Sequence, residues 1–225
     1  MNEFENGIEI DGLDDIEIEN TSVEEIDSEN INLIFLGIDQ SGSMSSFSND
    51  MKHSLNEFKD ALTNSKEADE ILVARANFED SIDIGGYKKI DEFDTAFRAG
   101  GCTAMYDAIT EGTEKLKEYR QYLKDQGVRV KAVFAIFSDG LDNSSNSSFS
   151  DAKRNIEFLN NEEITTAFIS FGGEATQTAH DLGFRNVLDV TSSASELRKA
   201  FNCLSKSVIE SSKSVVADGD DFFQI

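Results

Sequence analysis

Two stretches of eight residues constrain this chain more than any others: Ile31 to Ile38 (INLIFLGI) and Val130 to Phe137 (VKAVFAIF). Both are almost unbroken apolar runs, and both are too short for a spanning helix. A run of this length reads as a strand buried on both faces, which requires covering layers above and below the sheet. Each run ends in polar residues. Asp39, Ser41 and Ser43, with Gly42 between the serines, follow the first, and Ser138-Asp139-Gly140 follows the second.

The segments between these runs have helical periodicity. Met51, Leu55, Phe58 and Leu62 make one apolar face after Ser48 or Asn49, either of which can cap the helix. Met105, Ile109, Gly112, Leu116, Tyr119 and Leu123 make a second, with Gly127 just past its end. A third helix opens at Ser150, a short one covers Ala175 to Leu182, and a last one follows the Ser193/Glu196 capping box. Further strands are expected at Ile71–Phe78, Ile164–Phe171 and Asn186–Val190. Ser81–Ile84 follows Glu79-Asp80 too closely for a crossover helix and is expected as an antiparallel edge hairpin. Together these predict an α/β fold: a doubly wound, mostly parallel central sheet with one antiparallel edge strand and helices on both faces.

Charge divides the chain into three parts. Residues 1–30 hold twelve Asp or Glu and no Lys or Arg, and residues 218–225 hold three Asp and no base. Of the net charge of −24, the 187 residues from Ile31 to Ala217 carry only −9. The expected organisation is an acidic N-terminal arm over 1–30, one domain over 31–212, and an acidic, aromatic tail over 213–225. This balance disfavours nucleic acid and anionic membrane surfaces as partners. Neither a signal peptide nor a spanning helix is recognisable, and Cys102 and Cys203 form no disulfide or zinc framework. A cytoplasmic location is the expectation. Cys102 is read as a small buried residue in a tight turn, and His53 and His180 as helix-face or surface residues without a role.

In a doubly wound sheet, ligands bind at the carboxyl ends of strands where the strand order reverses. Asp39, Ser41, Ser43, Thr103 and Asp139 would bring two carboxylates and three hydroxyls to that crevice. This all-oxygen set suits Mg²⁺, with Mn²⁺ and Ca²⁺ as alternatives, and leaves coordination positions to water or to a ligand carboxylate. Asp142 and Asn143 are read as turn formers, and Asp107 as a helix-dipole partner.

Asp39-Gln40-Ser41-Gly42-Ser43 resembles the DxSxS motif of von Willebrand factor type A (vWA) domains. Gly100-Gly101-Cys102-Thr103-Ala104-Met105-Tyr106-Asp107-Ala108-Ile109 resembles the family's Gly-Gly-x-Thr segment, and Phe137-Ser138-Asp139-Gly140 its strand-ending Asp-Gly. The resemblance covers about Ile31 to Ser212 and is nearest in style to intracellular bacterial and phage-type single-domain members. It implies a metal-ion-dependent adhesion site (MIDAS) with Asp39, Ser41, Ser43, Thr103 and Asp139 as ligands. The function implied is a non-enzymatic protein-binding module that docks a partner's Asp or Glu, for instance beside AAA+ ATPases or in stress-response gene clusters. The alternatives are a metal-assisted hydrolase or phosphatase in the same crevice, and an assembly protein that uses its tails. Among the tails, Asp218–Ile225 (DGDDFFQI) has the composition of a docking peptide.

Overall fold

A computed structural model of the chain describes residues 19–65, 70–213 and 222–223. Residues 1–18 of the expected acidic arm lie outside the described residues. A seven-stranded sheet forms the centre. Its strands are β1 (Asn30–Asp39), β2 (Glu70–Phe78), β3 (Ile82–Ile84), β4 (Lys88–Lys89), β5 (Arg129–Ser138), β6 (Thr165–Phe171) and β7 (Asn186–Val190). Among the described residues five α-helices cover it: α1 (Ser48–Thr63), α2 (Met105–Asp125), α3 (Phe149–Asn161), α4 (Thr176–Leu182) and α5 (Ala194–Lys213). The order is β3-β2-β1-β5-β6-β7, with β2, β1, β5, β6 and β7 parallel. The chain leaves β1 towards β2 on one side and returns to β5 on the other, so the order reverses between β1 and β5.

The apolar run of β1 explains the two layers, because alternate side chains leave opposite faces of a strand. Ile31, Leu33 and Phe35 join the core under α2, α3 and α4, while Ile34, Leu36 and Ile38 join the core under α1 and α5. The expected antiparallel edge is present but comes in two pieces. β3 pairs with Ala76–Phe78 and β4 with Leu72–Val73, both on the same side of β2. Gly85 and Gly86 interrupt them. A Cβ on Gly86 would lie 1.5 Å from the Glu19 carbonyl oxygen, so the preceding segment passes where a side chain would be. Asn20 Oδ1 accepts the Tyr87 N–H at 2.8 Å, the Thr21 N–H donates to the Tyr87 carbonyl at 2.8 Å, and the Tyr119 hydroxyl donates to the Thr21 carbonyl at 2.7 Å.

Two helix starts differ from expectation. α1 is not capped by Ser48 or Asn49, because a 3₁₀ turn over Gly42–Phe47 runs directly into it. α3 is capped by Ser148 rather than Ser150, in a capping box with Asp151. At the other end of the chain's last helix, Lys131 Nζ donates to the carbonyls of Ser211 and Ser212 at 2.9 and 3.2 Å and so closes α5.

The tightest contact between layers lies under α2. A Cβ on Gly112 would stand 2.2 Å from Phe35 Cζ, and the Phe35 ring stacks on Phe134 with centroids 4.8 Å apart. The missing side chain lets the helix settle on the aromatic pair. Gly112→Ala should therefore lower stability by about 1–3 kcal/mol, although alanine favours an unpacked helix by about 1 kcal/mol. A fall in the urea midpoint at unchanged slope is the expected reading.

Candidate metal centre

The ends of β1 and β5 are neighbours, and they deliver Asp39 and Asp139 to one crevice. Asp39 is fully buried and shaped by two hydrogen bonds. Its Oδ1 accepts the Ser41 N–H at 2.8 Å and its Oδ2 accepts the Ser138 hydroxyl at 2.6 Å. The Ser41 and Ser43 hydroxyls are 2.9 Å apart, and Ser43 Oγ donates to Asp139 Oδ1 at 2.9 Å. Four of the five expected ligands thus form one hydrogen-bonded chain.

Thr103 arrives on a separate loop tied to the first. Gly100 N–H donates to the Gln40 carbonyl at 2.7 Å, and Gly42 N–H to the Gly101 carbonyl at 3.1 Å. The Thr103 side chain is buried, and its hydroxyl makes no hydrogen bond to the other four residues. Gly101 has φ +71, the left-handed region that favours glycine. Its turn places Cys102 outward, with its N–H on Asp80 Oδ1 at 2.8 Å. Cys102 is exposed, contrary to the burial expected for it. The Asp80 carboxylate beside it, through a hydrogen bond and its charge, pushes the thiol pKa up, away from the reactive thiolate.

Burial lifts the Asp39 carboxyl above its ordinary range, against the hydrogen bonds from Ser138 and Ser41. Burial also raises Asp139; the Ser43 hydroxyl opposes this and the Asp39 charge adds to it. Among the described residues no Lys or Arg forms an ion pair with either carboxylate. Two part-desolvated carboxylates with hydroxyls between them and no basic counter-charge fit a hard divalent cation. Asp39, Ser41, Ser43, Thr103 and Asp139 are the residues that would hold it. Beside the Asp39 loop lies an open hollow of about 310 Å³, whose lining includes Gln40, Asn77, Glu79 and Asp94.

The loop after β5 does more than turn. The start of α2 has no capping side chain of its own, and loop residues supply the acceptors instead. Asn143 Oδ1 accepts the Thr103 N–H at 2.8 Å, Asp142 Oδ2 accepts the Tyr106 N–H at 3.0 Å, and Ser145 Oγ accepts the Asp107 N–H at 3.0 Å. Asp107 answers in the other direction, accepting the N–H groups of Asn146 and Ser147 at 2.8 and 2.6 Å. Local spacing explains neither Asp107 nor Asn143, because their partners lie about forty residues away.

Burial would raise the Asp107 carboxyl, but hydrogen bonds from Ser147 and Asn146 outweigh it and hold the carboxyl below its ordinary value. Its stabilising contribution is therefore full above about pH 4 and is lost as pH falls through the lowered value. Asp107→Asn should cost about 1–3 kcal/mol at neutral pH, the size expected for unmade hydrogen bonds to a buried acceptor. It should also shrink the acid-induced loss of stability seen by chemical denaturation at stepped pH.

No protein-family model and no curated protein sequence matches the chain. Solved structures do. The pilus adhesin SpaC from Lactobacillus rhamnosus GG superposes with a TM-score of 0.66 at 12% identity, covering 83% of this chain and 31% of its own. The vWF domain of the type V pili tip protein Mfa5 from Porphyromonas gingivalis gives 0.60 at 11% identity, over 82% of this chain and 97% of that one. Proximal thread matrix protein 1 from the mussel byssus, in a form with a zinc-occupied MIDAS motif, gives 0.55 at 19% identity, over 80% and 46%. This chain thus spans less than a third of the SpaC chain it matches. At these identities the likeness is one of architecture, and with the sheet order and helix layers above, the chain has the von Willebrand factor type A fold.

Proposed function

We propose that this chain is a divalent-metal-dependent protein-binding module rather than an enzyme. Asp39, Ser41, Ser43, Thr103 and Asp139 would hold Mg²⁺, or Mn²⁺ or Ca²⁺ in its place, and a partner's Asp or Glu would complete the coordination. The observation that carries this reading is the convergence of one buried and one half-buried carboxylate and their hydroxyls, with no basic counter-charge among the described residues. A cation held by few protein charges stays electrophilic towards an incoming carboxylate. The residues around it serve to orient the ligands: Ser138 fixes Asp39, and Asn143 fixes Thr103. Adhesins among the structural neighbours, and the neighbour with a zinc-occupied MIDAS motif, support a binding role and a divalent ion. An AAA+ ATPase or a stress-response protein in the cytoplasm is the kind of partner we propose.

Asp39→Asn keeps an acceptor for the Ser41 N–H and offers Ser138 an amide, while removing the charge. Its metal-free melting temperature should equal or exceed that of the wild type. Mg²⁺ at about a hundred times its Kd should raise the wild-type melting temperature by about 5–10 °C and leave Asp39→Asn unmoved. Partner capture from native lysate should vanish with EDTA and with Asp39→Asn. Capture that survives both would overturn the proposal, and turnover of a phosphate ester lost in Asp39→Asn would replace binding with catalysis.

The raised Asp39 and Asp139 values set the pH dependence. Protonation neutralises both ligands, so the Mg²⁺-induced rise in melting temperature should be full at neutral pH and fade as pH falls through their raised values. A metal effect that persists unchanged in acid would point to other ligands.

A further inference from the structure

The site lies at one end of the sheet; the opposite end holds a second feature. Phe222 is only 2% exposed and belongs to the core shared by α1 and α5. Phe223 is half-buried and packs against it at an angle, with ring centroids 5.3 Å apart. Neither residue lies in a helix or strand, and residues 214–221 separate them from the end of α5 at Lys213. An aromatic pair outside the regular elements therefore fills part of the core.

The contact is made by a side chain of the sheet. The Phe222 N–H donates to Asn186 Oδ1 at 2.9 Å, while Asn186 Nδ2 donates to the Thr166 carbonyl at 3.1 Å. Tied to β6 by its nitrogen, the Asn186 amide presents its oxygen to the main chain of the arriving segment. Asn186, Leu188 and Val190 alternate along β7 and face the same core as Phe222. Asn186 begins β7, the last strand in the sheet order, whereas Asp39 and Asp139 follow the far ends of parallel strands.

A fixed acceptor for a backbone N–H beside a socket for one aromatic side chain is how domains read short peptides: the main chain gives affinity, and the pocket gives specificity. We propose that Asn186 and the apolar socket around Phe222 form a second binding site, remote from the metal centre. Its ligand is a short segment carrying paired aromatics, and Phe222 and Phe223 fill it from the same chain. Three Asp in the four residues before Phe222 give that segment the charge to remain in water once it leaves the socket.

The test uses the full chain with a protease site inserted between Ala217 and Asp218 and cut after folding. A labelled peptide of residues 218–225 should bind the nicked chain saturably and the uncut chain at least tenfold more weakly. The peptide with Phe222→Ala should lose at least tenfold in affinity for the nicked chain. A nicked chain that keeps its circular dichroism but takes up no peptide, or takes both peptides equally, overturns the proposal. Should nicking unfold the chain, the uncut Phe222→Ala chain serves as receiver and should bind the wild-type peptide at least tenfold more tightly than the wild type does. If it folds but does not bind, or if both forms lose their fold, the segment is a fixed part of the core and the proposal fails.

Discussion

The chemistry of this molecule depends on a carboxylate buried without a counter-charge. Asp39 is removed from water at the end of a central strand and receives neutral donors, among them the Ser41 N–H and the Ser138 hydroxyl. Those bonds soften the desolvation cost without cancelling it, which is why burial still raises its pKa. Asp139 adds a second negative charge through the adjacency of β1 and β5. The sheet thus concentrates like charge at its strand-order reversal, and the apolar layers on both faces resist the outward relaxation that would relieve it.

The loops around this point restrain each other. α2 borrows its N-terminal acceptors from the loop after β5, and that loop takes its shape from Asp107 of α2. Each partner satisfies backbone groups the other would leave unpaired, so neither can move without exposing them. The Gly100 and Gly42 N–H groups join the same network to the segment after Asp39. Three stretches far apart in sequence therefore behave as one support for the crevice.

Much of this was legible in the sequence because it follows from periodicity. Ile31–Ile38 and Val130–Phe137 announce central strands, and the short spacing after Glu79-Asp80 announces the antiparallel edge. Asp39, Ser41, Ser43 and Asp139 stand out because they follow strand ends, and Thr103 because it opens a long helix after a glycine turn; the structure brings the first four into direct contact, with Thr103 on a tethered loop. What local pattern could not supply is partnership at a distance. β4 is two lysines after a glycine pair and carries no apolar signal. Asp107 reads locally as a helix-dipole partner, and its actual partners lie in the β5 loop. Cys102 looks buried until the left-handed Gly101 turns it outward. Ser148 and Asp151 did carry a readable capping box, which Ser150 obscured. Phe222 sits in so acidic a stretch that its burial beside Asn186 required the fold itself to be seen.

The segment that crosses the β3–β4 edge has a consequence for the company this domain keeps. A strand edge with unanswered N–H and C=O groups can template a strand from another molecule and so begin aggregation. Here Asn20 and Thr21 already occupy the outward N–H and carbonyl of Tyr87, and Gly86 lets that segment lie against the backbone. A strand arriving at this edge therefore finds Tyr87, just before β4, already bonded, and the edge is closed there to self-association.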